Sequence, residues 1–316
     1  MPVLACLANW LMLKRLLIRL GWSVLVLIGA AAVSFLIARA VPGDPARVIA
    51  GAKADAETIA LIRTELHLND PLWKQFSRYI WQLGHGDLGK SYVTNQPVTE
   101  AILTRFPATA ALSITALVLW MALAIPVGVL TARYQGTYFD RIVLVIATIG
   151  ISLPAFWVAR LLQYELAYKA GMFPVAGLES FRNILLPALT LVVLVGGYYA
   201  RLIHTNMIEV LRMSFIRAAE AKGVSDAKLL FVHALRNALI PVVTILGIDL
   251  AGLLGGVVFT ENVFALPGIG TLALQSVFNL DAPIIMGTVI FSALLVVSAN
   301  LIVDLLYHWI DPRIRG

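Results

Sequence analysis

Six stretches of this chain are almost free of Asp, Glu, Lys and Arg: 20–38, 106–132, 142–159, 183–200, 237–260 and 282–303, with Asp249 as the single exception. Each has about the 17–25 apolar residues a helix needs to cross a hydrocarbon layer roughly 30 Å thick. Lipid offers no hydrogen-bonding partner, so such a stretch must satisfy its own backbone, and a helix does so. The expectation is an all-α polytopic membrane protein with six transmembrane helices. Composition agrees: 60% of the 316 residues are hydrophobic and 13% are charged, about half the charge of a soluble domain. Pro126, Pro154, Pro187 and Pro241 fall in or beside these stretches, which predicts kinks rather than helix ends.

The formal charge of +6 is sorted by membrane side rather than gathered into a nucleic-acid patch. With the N-terminus inside, the inner segments hold thirteen of the 24 Lys and Arg, while the two short outer loops hold only Arg160, Lys169 and Arg182. The remaining eight lie in the long loop after the first span, where the positive-inside rule does not count them. Both termini are therefore expected to be cytoplasmic. Lys14, Arg15 and Arg19 precede an apolar run longer than a secretory h-region, with no clear cleavage site, so the first span is read as uncleaved. The single Cys6 excludes an intrachain disulfide and a Cys-based metal site.

A single membrane domain over 1–316 is expected, with two hydrophilic excursions. The first, 39–105, falls outside. It opens on the turn cluster Pro42-Gly43-Asp44-Pro45, then shows a helical pattern from Asp55 to Leu68, a break at Asn69-Asp70-Pro71, and an aromatic amphipathic helix from Leu72 to Leu83. The second, 201–237, falls inside. Asn206 to Phe215 prolong the fourth span, Arg217 to Lys222 are good helix formers, Gly223 is placed as a stop, and Ser225 is placed as the N-cap of a helix from Asp226. The result is a cytoplasmic elbow tied at both ends to membrane helices.

Gly84 to Ser91 match the P-loop pattern in full, but an aromatic amphipathic helix precedes them and Tyr92 to Pro97 do not start a helix. The match also lies on the outer side, so nucleotide binding is rejected. Neither a helical zinc-protease motif nor a nucleophile elbow is present, and the five histidines are scattered over both membrane sides. Asp249 stands near the middle of the fifth span, where a carboxylate is costly and faces a cavity or a partner. It either lines a substrate path that favours amines or cations, or is a protonated or internally paired residue at a helix contact. Asp304 is placed at the membrane interface. The loop from Glu261 to Asp281 carries almost no charge and centres on the turn Pro267-Gly268-Ile269-Gly270, so it dips back toward the membrane, packs on another subunit or simply connects.

Several of these segments together resemble a known family. Pro42-Gly43-Asp44-Pro45, Leu66 to Leu72, Gly86 to Ser91 with Pro97-Val98, Glu261-Asn262-Val263-Phe264 with Pro267 to Gly270, and Asp311 to Arg315 are similar to the first of the two permeases in ATP-binding-cassette importers of the peptide/nickel class. The insert resembles that family's EAA loop: Ala218, Ala219 and Gly223 match, Arg217 stands in place of Glu, Arg236 in place of Pro, and the proline comes later at Pro241. The resemblance implies a type I importer permease fold and a non-catalytic subunit without cofactor, metal site or nucleic-acid partner. It further implies a homologous second permease, two cytoplasmic ATPases, an extracytoplasmic substrate-binding protein and a bacterial or archaeal cytoplasmic membrane. Di- or oligopeptides are the implied cargo, with nickel or a metal chelate as the alternative. ATPase coupling falls to Arg217, Ala218, Ala219, Glu220, Ala221, Lys222, Gly223 and Asp226, the translocation path to Asp249, and the outer motif to Glu261, Phe264, Pro267, Gly268 and Gly270. A proton-coupled secondary transporter using Asp249 would usually show inverted repeats and needs no elbow. An intramembrane aspartyl enzyme is disfavoured because Asp249 and Asp304 fall at different depths.

Overall fold

The computed structural model describes residues 2–40, 44–51 and 54–310, with side chains placed only between 18 and 302. Pro42, Gly43, the Asp311–Arg315 tail and the side chain of Asp304 lie outside the described residues. Helices α1 (Pro2–Ala40), α5 (Val98–Arg133), α8 (Arg182–Leu211), α11 (Leu235–Leu254, entered from Asp226) and α14 (Ala282–Ile310) carry five continuous apolar spans. Pro126, Pro187 and Pro241 sit inside α5, α8 and α11 without ending them.

The third expected span is different. Helix α6 (Tyr138–Ser152) stops, and α7 (Ala155–Leu162) starts again at an angle, running on as a π-helical stretch Gln163–Lys169. The two halves are bent by 103°. Pro154 is responsible: it has no N–H to donate, and its ring drives Leu153 into extended backbone (φ −79°, ψ 139°). Pro154 thus ends one helix and caps the next, where the sequence predicted only a kink.

A second departure lies at the end of α8. The helix does not run through to Phe215. Arg212 closes it, Met213 is extended (φ −71°, ψ 152°), and a separate helix α9 (Ser214–Ala221) begins. The Arg217 guanidinium donates to the Arg212 carbonyl at 3.2 Å and so satisfies one of the acceptors left over at that helix end.

The helices group into two compact units. One comprises Met1–Pro107, Leu254–Val258 and Gly268–Gly316. In it α1 packs on α14, and α4 (Leu72–Gly84) lays its apolar face on α1. Phe35 meets Phe76 edge-on at 5.5 Å and stacks on Tyr79 at 6.1 Å, while Trp73 and Trp81 of α4 stay exposed. Arg39, at the end of the first span, donates to Gln75, whose amide bonds the Leu68 and Asp70 carbonyls. This is the register of an amphipathic helix with its polar ends satisfied. Helix α3 (Ala56–Glu65) starts where expected, with Asp55 as its cap at 3.1 Å from the Thr58 amide.

Arg78 donates to Asp70 at 2.9 Å, and this bond holds the Asp70 carboxyl below its ordinary value. A depressed carboxyl contributes stability that is complete above the unfolded value of about 3.9 and is lost as pH falls through the folded value. Hydrogen-exchange protection of α4, corrected for intrinsic rates, should therefore be level down to about pH 5 and fall only below about pH 4. Loss of protection on raising the pH from 5 would contradict the assignment.

The other unit comprises Ala108–Leu253 and Phe259–Pro267. Its helices meet through glycine. A Cβ on Gly197 of α8 would lie 2.7 Å from the Ala147 carbonyl oxygen of α6, one on Gly150 of α6 would lie 2.7 Å from Val193 O, and one on Gly128 of α5 would lie 2.7 Å from Ala200 O. Between helices in lipid, where apolar burial gains little, such backbone approach is the main source of packing energy. Trp120 and Tyr199, both fully buried, stack at 5.7 Å within the same unit.

Candidate functional site

The elbow in the chain's second excursion is a helix, a stop and a second helix. Helix α9 buries Ile216 alone; Arg217, Ala218, Glu220, Ala221 and Lys222 are exposed, and Ala219 is half-buried. Gly223 takes φ +77°, the left-handed conformation that closes a Schellman motif. The Gly223 amide bonds Glu220 O at 2.9 Å and the Val224 amide bonds Ala219 O at 3.3 Å. Nothing lies within 4 Å of where a Gly223 Cβ would be, so the backbone angle alone requires glycine here.

The chain then enters α10 (Asp226–Lys228), a π-helical stretch Leu229–Ala234 and α11. Ser225 has the extended backbone of an N-cap, yet its hydroxyl makes no capping bond. Asp226, the next residue, accepts instead from Arg133, the last residue of α5, at 2.7 Å in an exposed ion pair that caps nothing. The elbow is therefore held at the start of α10 by an ion pair and at α9 by Ile216. Met213, Phe215, Phe231 and Val232 remain exposed around it.

Asp249 is half-buried in α11 and accepts the phenolic proton of Tyr199 at 2.7 Å. The outer motif is folded tightly. Glu261, in α12 (Val258–Val263), is fully buried and accepts from Thr109 at 2.7 Å. Phe264 is buried, and its carbonyl accepts the Gly177 amide at 2.9 Å; Gln163 bonds the Val263 and Val175 carbonyls. Pro267 is exposed, and Gly268 is the extended residue that starts α13 (Ile269–Phe278). Gly270 lies so close to Gly256 that a Cβ on Gly256 would be 2.6 Å from Gly270 N.

The α12 end is a Schellman motif with alanine in the glycine position. Ala265 has φ +50°, its amide bonds Asn262 O at 3.2 Å, and the Leu266 amide bonds Glu261 O at 2.8 Å. A left-handed Ala costs about 1–2 kcal/mol, and the greater chain entropy of Gly returns about 0.5–1 of that. Ala265→Gly should therefore stabilise the purified protein by up to about 1 kcal/mol, read as a higher melting temperature. A lower melting temperature would contradict the reading of this turn.

Residues 124–316 match the family of binding-protein-dependent transport system inner membrane components, and residues 12–113 match the N-terminal membrane component of the same systems. The chain belongs to this family. It is 39% identical over 313 residues to a Brucella melitensis protein carrying the name of a peptide transport system permease, covering 96% of this chain and 99% of that one. To the glutathione transport system permease protein of Salmonella typhimurium it is 40% identical over 304 residues, with the same coverage. Among solved structures, the inward-facing methionine ABC transporter MetNI superposes with a TM-score of 0.58 at 20% identity, over 67% of this chain and 97% of that chain. The fold is that of a type I importer permease, and the chain is a non-catalytic subunit; ATP hydrolysis belongs to partner ATPases.

In this permease the P-loop-like segment is a knot of turns. Gly86 and Gly89 take φ +75° and +83°, the Gly89 amide bonds Asp87 at 2.8 Å, and the Ser91 amide bonds Gln96 O at 2.9 Å. The Ser91 hydroxyl accepts from the Thr94 amide at 2.9 Å and donates to buried Asp281, which also accepts the Tyr92 amide at 3.1 Å. The Gly89 and Ser91 amides are thus spent within the loop and the Tyr92 amide on Asp281, rather than converging on a phosphate site.

Sequence reasoning missed Arg133, Tyr199, Thr109, Gly256 and Asp281. Each acts through a partner 50 to 190 positions away, or across a backbone approach, so only the spans' packing reveals it. A buried Thr within an apolar run and an Arg at its last position are ordinary features of a membrane helix, and neither announces its partner.

Proposed function

We propose that this chain forms half of the translocation pore of an ATP-driven importer for di- or oligopeptides or glutathione, and that α9 is the element the ATPases grip. The two named relatives, at 39% and 40% identity over nearly the whole chain, support the cargo. The observation that carries the coupling role is α9 itself: an exposed helix with alanines at 218 and 221, closed by a glycine cap and joined at both ends to membrane helices. Small side chains let a short helix enter a groove on a partner closely. Arg217, Glu220 and Lys222 supply charges at its rim, and Arg133–Asp226 ties the second arm of the elbow to α5.

Movement of α9 would then tilt α8 and α11 as rigid bodies, which is a route to alternating access. On this reading both termini are cytoplasmic, 39–105 and the Glu261–Gly270 motif face the binding protein, and a homologous permease completes the pore. The protein works as one permease domain over 1–316 in a bacterial or archaeal cytoplasmic membrane.

Cysteine cross-linking tests this directly. In a Cys6→Ser background, Ala218→Cys in the assembled complex should join to an ATPase subunit through a short reagent whose maleimide takes the new thiol and whose succinimidyl ester takes an ATPase lysine. Leu61→Cys on α3, exposed in the first excursion, should not. Cross-linking from Leu61→Cys but not from Ala218→Cys would reverse the proposed orientation and remove α9 from the interface.

A further inference from the structure

The stretch 237–260 contains one charged residue, Asp249. Among the described residues its carboxylate makes no ion pair, and its one hydrogen bond comes from the neutral Tyr199 phenol to Oδ2 at 2.7 Å. A carboxylate inside an apolar span faces a cavity or a partner. Here it is fixed rather than mobile. Tyr199 is fully buried, stacked on fully buried Trp120 at 5.7 Å, and met by Tyr198 nearly perpendicular at 5.4 Å. Asp249 itself is half-buried, and Tyr198 is 40% exposed. One oxygen is thus held by a rigid donor, and the group remains reachable.

We propose that Asp249 is the permease's recognition site for the ammonium group of the cargo, with Tyr199 as its positioning residue. The inference rests on the peptide reading above, because di- and oligopeptides and glutathione each present a free ammonium. A carboxylate already carrying one hydrogen bond on Oδ2 can accept N–H donors on Oδ1, and the neighbouring aromatic rings favour a cation over an anion. Tyr199 fixes where the carboxylate points without itself touching cargo.

The test uses the full complex in proteoliposomes, with trialanine or N-acetyl-trialanine presented on the binding protein at equal occupancy. The wild type should carry the free-amine peptide faster by about ten-fold or more, the scale of one charge-assisted hydrogen bond. Asp249→Asn keeps the shape and an acceptor for Tyr199, so the complex should assemble in normal amounts and the preference should vanish. Tyr199→Phe should narrow the preference while leaving assembly intact, and Asp249→Glu should restore part of it. An unchanged preference in Asp249→Asn would overturn the site. Failure of Asp249→Asn to assemble would also overturn it, since the carboxylate would then pair with a cation of the second permease and hold the complex together. If the wild type carries neither peptide, the cargo reading fails and this site with it; if it carries both equally, only the site fails.

Discussion

Gly223→Pro should reduce ATP-driven uptake to background while the protein still inserts and accumulates in the membrane. The substitution attacks the elbow at three points. Proline cannot reach the φ of +77° observed at this residue, it removes the amide that bonds Glu220 O, and it disfavours the turn backbone of Lys222 before it (φ −84°, ψ 5°). Together these cost about 3 kcal/mol or more, enough to shift the balance between an ordered and a frayed elbow roughly 100-fold. The spans are untouched, so membrane insertion should be normal. A graded series makes the result specific. Gly223→Asn, tolerated in the left-handed region, should be mild, and Gly223→Ala, which costs about 1–2 kcal/mol there, intermediate. Uptake that ignores this order would mean that the cap geometry is irrelevant to coupling.

A large effect on folding is expected at Gly197. A Cβ there meets the Ala147 carbonyl oxygen at 2.7 Å and its Cα at 2.9 Å, and neither backbone atom can rotate away. Gly197→Ala should destabilise by about 1–3 kcal/mol, and Gly197→Leu by more, because α6 and α8 must separate to admit the side chain. The adjacent Gly196 is the control. Its added Cβ would find only ordinary contacts, the nearest at 3.6 Å to a Val192 methyl, so Gly196→Ala should change the melting temperature little. Equal melting temperatures for Gly196→Ala and Gly197→Ala in detergent would show that the α6–α8 approach does not hold the fold.

The spans were legible because lipid imposes one rule on every residue of a segment, and runs such as 282–303 obey it without exception. The Gly223 stop was legible for a local reason: it is set by a residue and its neighbours within a turn. Pro154 was not. Proline inside an apolar run either kinks or ends a helix, and which occurs depends on what surrounds the freed backbone, as the contrast with Pro187 and Pro241 shows. The break at Met213 was hidden for a related reason, since no glycine or proline marks it and the Arg217-to-Arg212 bond that accompanies it forms only after the chain has turned. Asp249 was conspicuous in the sequence, but its partner was not, because Tyr199 lies 50 positions earlier on another helix. Arg217 makes that same bond to the Arg212 carbonyl.

The central claim, that this permease converts ATP hydrolysis by partner subunits into peptide import, is tested most directly by uptake into proteoliposomes holding the complete complex and its binding protein. Labelled dialanine should enter when ATP is supplied on the ATPase side. It should stop when a non-hydrolysable analogue replaces ATP, and it should stay stopped when a proton gradient of either sign is imposed. Uptake sustained by the proton gradient without hydrolysis would contradict the account and leave a secondary transporter in its place.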